Sequence, residues 1–343
     1  MLNGITLLIC TYNGAPRIEK TLQHILRQKF TKKISWEVIV MDNASSDNTS
    51  ELVKKAWNNP DIPFKLIRED RPGKHNALET GFLTAKFDVV CIVDDDNRIN
   101  EKYVEQVYTI MNDHPEVGLV GGRGIGDFET EPPAWFPTFE EGYGIGPQGK
   151  EAGYNDKTHG YLYGASSAVR KEAWQTLHDN GFTLLLSGRK GKTLASGEDM
   201  EMCLAIRLLG YRLWYDPEIT FEHFMPAGRL NWDYTKRMFA AFGRAALVTD
   251  EYRFPLYEHK WWKKVIHKSA FLEMLYAFYD MFRKLPQYIV LSMKNSEGDE
   301  RIVWFGFAWA KFTERLKNLF RAAKIKRMVK NAEWRKHART FEV

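Results

Sequence analysis

Apolar residues fall in two rhythms along the first 125 positions. Short apolar runs at Ile5–Cys10, Trp36–Met41, Phe64–Arg68 and Val89–Val93 read as strands, the last of them buried. Between them the spacing widens to that of a helix. Arg17–Gln28 carries Ile18, Leu22, Ile25 and Leu26 on one side, and Ser50–Trp57, His75–Ala85 and Glu101–Met111 follow the same period. Asp47 or Asn48 stands ready to cap the second of these helices. Val117–Val120 opens a fifth strand. Strands alternating with helices predict right-handed βαβ units, hence an α/β fold with a mainly parallel sheet flanked by helices.

The texture then changes. From Gly121 to Gly160, Gly and Pro are dense and aromatics scattered, which predicts a long irregular stretch of the kind reserved for function. Tyr161–Arg170 reads as a strand entering a helix, and Phe182–Thr193 as a loop carrying Arg189, Lys190 and Lys192. Gly197–Leu209 is a predicted helix, Tyr211–Tyr215 a strand and Asn231–Val248 a helix. After Trp261-Trp262-Lys263-Lys264 come a helix at Phe271–Leu285, a polar break at Asn295–Glu300 and a long helix at Ile302–Val329. This divides the chain into a sheet-bearing part, 1–250, and a helical extension, 251–343.

Charge sharpens that division. From Glu251 onward 20 Lys and Arg face 10 Asp and Glu, whereas the first 250 residues carry 29 against 34. An acidic front and a basic, aromatic tail imply different partners. With 44% apolar and 14% aromatic residues the chain is globular rather than disordered. Cys10, Cys91 and Cys203 are far apart in apolar contexts and read as reduced thiols, which predicts a cytoplasmic protein. The amino terminus lacks a basic leader and cleavage site, so no signal peptide is expected; nor is a spanning helix, since no window holds about 18 uninterrupted apolar residues.

Candidate chemistry sits where strands end. Asp94-Asp95-Asp96 follows the fourth strand directly. Carboxylates clustered at the carboxyl edge of a sheet repel one another unless a cation intervenes, and oxygen-rich sites suit Mg²⁺ or Mn²⁺. An EF-hand is a poor match, because Arg98 and Ile99 occupy the positions that need oxygen and glycine. Thr11-Tyr12-Asn13-Gly14 follows the first strand and Asp42-Asn43-Ala44-Ser45-Ser46-Asp47 the second. Asp42 stands where a carboxylate can accept hydrogen bonds from a base or sugar. Arg71-Pro72-Gly73-Lys74-His75-Asn76 follows the third strand and supplies a permissive backbone, a cation and a helix N-terminus, without the spacing of a P-loop. Glu198-Asp199 opens a helix, where acidic residues are favoured by the dipole but can also take a proton from a hydroxyl. His223, with Arg229 six residues on, could complete a metal shell or simply be a structural hydrogen-bonder.

Together these segments resemble the family 2 glycosyltransferases, which have the GT-A type of nucleotide-sugar-binding fold. The resemblance rests on Thr11-Tyr12-Asn13, Asp42 to Asp47, the aspartates 94–96, and Gly197-Glu198-Asp199 with Gly210-Tyr211 closing the next helix, in the family's order. It covers roughly residues 3 to 245. It implies that Thr11, Tyr12, Asn13 and Asp42 line the nucleotide pocket, with Gly73, Lys74 and Asn76 also in the donor site. Asp94 and Asp95 would contact the donor. Asp96, with His223, would hold Mn²⁺ or Mg²⁺ on the diphosphate. Asp199 matches the catalytic base, with Glu198 beside it. The implied reaction is single-displacement, inverting transfer from a nucleotide-sugar, commonly a UDP-sugar, in cell-surface polysaccharide synthesis. No Gln-x-x-Arg-Trp segment of processive synthases occurs, which favours single addition over polymerisation.

The tail fits either a helical hairpin packed on the core or an interfacial membrane anchor, since aromatics with Lys and Arg suit anionic headgroups. Lipid-linked acceptors, common in this family, favour the anchor, at the inner face of the cell membrane. The expected partners are a nucleotide-sugar and a glycan or lipid-linked acceptor. Nucleic acid is not expected, for want of a reader motif. A nucleotidyltransferase of related fold would have no need of Glu198-Asp199, and a non-catalytic membrane-peripheral protein would not need every carboxylate.

Overall fold

The structure, a computed structural model, describes residues 1–157, 160–186, 197–294 and 296–341. Strands β1 (Ile5–Thr11), β2 (Trp36–Asp42), β3 (Phe64–Arg68) and β4 (Val89–Asp94) alternate with helices α1 (Ile18–Leu26), α2 (Thr49–Ala56) and α3 (Lys74–Thr84). All four strands pair in parallel, in the order β3-β2-β1-β4, so their carboxyl ends share one edge. Every residue of β1 is buried, with Leu8 and Cys10 in the apolar layer on one face and Ile5, Leu7 and Ile9 in that on the other. A strand covered on both sides must be apolar throughout, and this one is.

Beyond β4 the chain departs from simple alternation. A three-residue strand, β5 (Asn97–Ile99), follows the acidic run, then α4 (Tyr103–Asp113) and a long β6 (Val117–Phe128). A short β7 (Gly153–Tyr154), then β8 (Ser167–Arg170), α5 (Lys171–Asp179), α6 (Glu198–Leu208) and the long β9 (Arg212–Met225) complete the sheet. Here β8 is antiparallel to both β4 and β6, β9 runs parallel to β6, and β5 and β7 pair antiparallel with β9. The result is a nine-stranded mixed sheet. The sequence pattern predicts neither β5 nor the second halves of β6 and β9. Gly121, Gly122, Gly124 and Gly126 mask β6, and Pro217 interrupts the apolar pattern of β9. The Gly121–Gly160 segment is therefore partly sheet.

Helix α7 (Trp232–Arg253) runs through residue 250; α10 (Glu300–Lys317) and α11 (Leu319–Lys330) pack against it, α9 (Ala270–Ser292) packs on α10 and α11, and α8 (Trp261–His267) packs on α9. What the periodicity predicts as one helix over Ile302–Val329 is broken at Asn318, whose φ of −120° lies outside the helical region. Gly243 lets α7 and α10 meet closely: a Cβ there would stand 2.3 Å from the Phe307 carbonyl oxygen. Ala322, Ile325 and Val329 of α11 join the same apolar layer as Leu8 and Ile92.

A buried ionic network fastens this layer. Arg315 donates to Glu273 and Asp250 at 2.9 Å each, and Lys326 reaches Glu251 and Glu273, also at 2.9 Å. Burial would raise the Asp250 carboxyl, but Lys311 and Arg315 pull it down to about 2. Among the described residues, no helix is long and apolar enough to cross a membrane.

Candidate active site

The carboxyl edge of β1–β4 is assembled by loops that hold one another. Asn13 has φ 49°, and its side-chain oxygen accepts from the Ser46 amide at 2.9 Å, tying the first loop to the second. Asn43 does the same for the third: its amide donates to the Arg71 carbonyl at 2.7 Å, and its oxygen accepts from the Gly73 amide at 2.8 Å. Gly73 has φ 125°, and Asn76 donates to the Arg71 and Pro72 carbonyls. Among the described residues the non-glycine positions with positive φ are Asn13, Ala44 and Ser166, all in loops at this edge. Such strain concentrates where surrounding structure must hold a fixed geometry.

Asp42 is buried, accepting from the Ser45 amide at 2.9 Å and from the Ser50 hydroxyl. Burial would raise its pKa, but these hydrogen bonds, with Arg68 nearby, hold it below the usual value. Tyr12 is the exposed side chain of the group, at 61%.

The three aspartates part company. Asp94 forms an ion pair with Lys74. Asp95 turns inward, receiving Arg17 at 3.2 and 3.1 Å and the Thr11 hydroxyl at 2.6 Å. Its burial outweighs those partners and leaves its pKa raised. Asp96 stands 3.8 Å from Nε2 of His223. That proximity is the work of β5, whose Asn97 lies opposite His223 in β9.

Glu198 and Asp199 arrive from the other side. Because β8 is antiparallel to β4, with Ser167 opposite Ile92, the residues just before β8 lie beside the acidic run. Gly164 there donates its amide to Oδ2 of Asp199 at 3.1 Å, and the Met200 amide donates to Oδ1 at 2.9 Å. A Cβ at Gly164 would come within 2.7 Å of the Asp199 Cβ, so a glycine is what admits the carboxylate. Lys74, ion-paired with Asp94, also feels the charge of Glu198. Burial opposes its charge, but Asp94 and Glu198 together raise its pKa above that of a free lysine.

All the site residues expected from the sequence therefore lie at one edge. Arg17, Asn97 and Gly164 carry no motif of their own, and Asn43 reads as an ordinary turn former; their roles emerge only from the contacts. The loop cations Arg189, Lys190 and Lys192 lie outside the described residues. Glu201, on α6, is fully buried and accepts the Leu185 and Leu186 amides, anchoring the described start of that loop.

The family model for glycosyl transferase family 2 matches residues 6–177, half of the chain. The chain belongs to glycosyl transferase family 2. As a family 2 glycosyltransferase it is similar to the poly-β-1,6-N-acetyl-D-glucosamine synthases of Staphylococcus aureus (strain COL) and Staphylococcus epidermidis. The identities are 37% and 30% over 122 residues, which is 36% of this chain and 29% of each synthase. The match thus spans less than a third of those relatives. Among solved structures, the mannosyltransferase PcManGT from Pyrobaculum calidifontis, in complex with GDP-Man and Mn²⁺, aligns with a TM-score of 0.58 at 20% identity. That alignment covers 93% of this chain and 88% of that one. S. aureus TarS 1-349 in complex with UDP-GlcNAc aligns with a TM-score of 0.52 at 14% identity, over 92% of each chain. These likenesses establish the GT-A type of fold.

The spacing of Asp96 and His223 suits a divalent ion. Two donors bonded to one ion at about 2.1 Å can stand about 3 to 4 Å apart, and the observed 3.8 Å falls in that span. Few protein ligands suit an ion that also binds substrate phosphates. By contrast, Glu251, His267 and Glu273 lie close enough for one ion, but the Lys326 ammonium already sits among them, 2.9 Å from each carboxylate.

Proposed function

We propose that this enzyme transfers a sugar, with inversion, from a UDP-sugar to a hydroxyl of a glycan or lipid-linked acceptor in cell-surface polysaccharide synthesis. The observation that supports it most is that Gly164, just before the strand paired with β4, holds Asp199 at the sheet edge where Asp94–Asp96 end their strand.

Asp199 is the base. Two backbone amides fix its carboxylate, so it needs no reorganisation to accept the acceptor's proton as the oxygen attacks the anomeric carbon. Asp94 holds Lys74, with Glu198 adding to the negative field around it, and its ammonium is placed to offset charge on the departing diphosphate. Asp95 acts from within, setting Arg17 and Thr11. Tyr12, Asn13, Asp42, Gly73 and Asn76 shape the nucleotide pocket. Asp96 and His223 would hold Mn²⁺ or Mg²⁺. When bound, the ion supplies charge that steadies the leaving nucleoside diphosphate. Three free, buried thiols accord with a reducing, cytoplasmic compartment.

The test is a donor panel (UDP-GlcNAc, UDP-glucose, GDP-mannose) with mass-spectrometric detection of free nucleoside diphosphate, run beside thermal shifts with and without Mn²⁺. UDP release, with UDP stabilising the protein only when Mn²⁺ is present, is the expected result. Release of GDP alone overturns the uracil assignment, and metal-independent UDP binding overturns the Asp96–His223 site. Release of pyrophosphate from a nucleoside triphosphate would favour a nucleotidyltransferase.

A further inference from the structure

Helix α9 is apolar on both sides. Its inner face, with Met274, Ala277 and Met281, is buried. Its outer face presents Phe271, Leu275, Phe278, Phe282, Ile289 and Met293, exposed by 42% to 84% and spaced along one stripe. Over 23 residues that stripe runs about 35 Å. Exposed apolar surface of this extent marks an interaction site. Helix α8 continues it: Trp262 packs on Tyr276 with ring centroids 5.9 Å apart, and Trp261 is 77% exposed.

The charges beside the stripe decide what covers it. In α8 the exposed charged side chains are Lys263 and Lys264, followed by Lys268 just past its end, and Arg283 in α9 and Lys294 just beyond it flank the apolar face. The acidic Asp280 is already paired with Arg283 and Lys284. A second copy docking face to face would bring like charges together, whereas an anionic surface would meet them with opposite charge. We propose that α8 and α9 form an interfacial docking face for an anionic lipid bilayer. The stripe enters the headgroup boundary, the lysines stay at the phosphates, and the helices lie on the membrane without crossing it. The inner face of α9 stays packed on α10, where Tyr288 stacks on Phe305 at 4.0 Å, so docking needs no unfolding. This inference is independent of the transferase chemistry.

The experiment is sedimentation of the full chain with vesicles of phosphatidylcholine alone or with about 30 mol% phosphatidylglycerol. Wild-type protein is expected to pellet only with the anionic vesicles. The doubly substituted F282S/I289S and the charge-reversed K263E/K264E should each lower the partition coefficient at least tenfold, with melting curves unchanged. These positions are exposed, and K263E/K264E leaves the apolar stripe intact should the first variant fold poorly. Three results would overturn the inference: no wild-type binding, equal binding by K263E/K264E, or a dimer that F282S/I289S dissolves without vesicle binding.

Discussion

The sheet edge and the helical layer both use buried charge, but to opposite ends. At the edge, Asp94, Asp96, Glu198 and Asp199 form a negative cluster tempered by Lys74, with Asp96 and His223 left at a spacing that suits an ion. In the helical layer Asp250, Glu251 and Glu273 are matched by Lys311, Arg315 and Lys326, and no place for an ion remains among them. A charge cluster completed from within holds a fold together. One that still wants positive charge awaits a ligand. Residue composition cannot separate the two cases, because both are carboxylates near basic groups; what differs is whether the counter-charge belongs to the chain.

Substitutions in each cluster test this contrast. The largest effect is expected at Asp199→Asn, which removes the proposed base and, with a single acceptor oxygen, can keep only one of the two amide contacts. Turnover should fall about 10²- to 10⁴-fold while donor affinity by isothermal titration stays near wild type; full turnover would remove Asp199 from the mechanism. In the other cluster, Arg315→Ala leaves Glu273 and Asp250 without their buried partner and should cost about 3 to 5 kcal/mol in urea unfolding. A loss of transfer with stability intact would show that this cluster is functional after all.

Gly164→Ala sits between these extremes. The added methyl must push Asp199 aside, so kcat should drop about tenfold or more, with about 1 to 3 kcal/mol of overpacking. An unchanged kcat would mean that Asp199 need not be held there. The smallest effect is a pH dependence. Burial raises the Glu201 carboxyl to about 7, against the amides of Leu185 and Leu186 that lower it. A raised carboxyl favours the protonated folded state, so its contribution is complete below about 4.5 and is lost as pH climbs through 7. Melting temperatures of wild type should therefore decline relative to Glu201→Gln between pH 5 and 8; parallel curves would refute the shift.

Much of the edge was legible in the sequence because its parts are local. Ile5–Thr11 or Val89–Asp94 announces a strand by its own apolar run, and a loop after a parallel strand has only one edge to occupy. The closure of the site was not legible. Gly164 meets Asp199 across 35 positions, and Asn97 meets His223 across 126, through a three-residue strand too short to show a period. Long-range pairing of short segments depends on the finished sheet, so it leaves no trace in local spacing. The helical layer was legible as helices, but its break at Asn318 and the entry of α11 into the core depend on packing against α7 and the sheet.

The brevity of β5 has a consequence of its own. Three residues joined to β9 at the end of the sheet make a weak border, and Asp96 and His223 sit on its two sides. Any ligand gripping both is a rivet across that border. Amide hydrogens of Asn97–Ile99 and of the His223 neighbourhood should then exchange more slowly when nucleotide and ion are present, making the border a built-in gauge of occupancy.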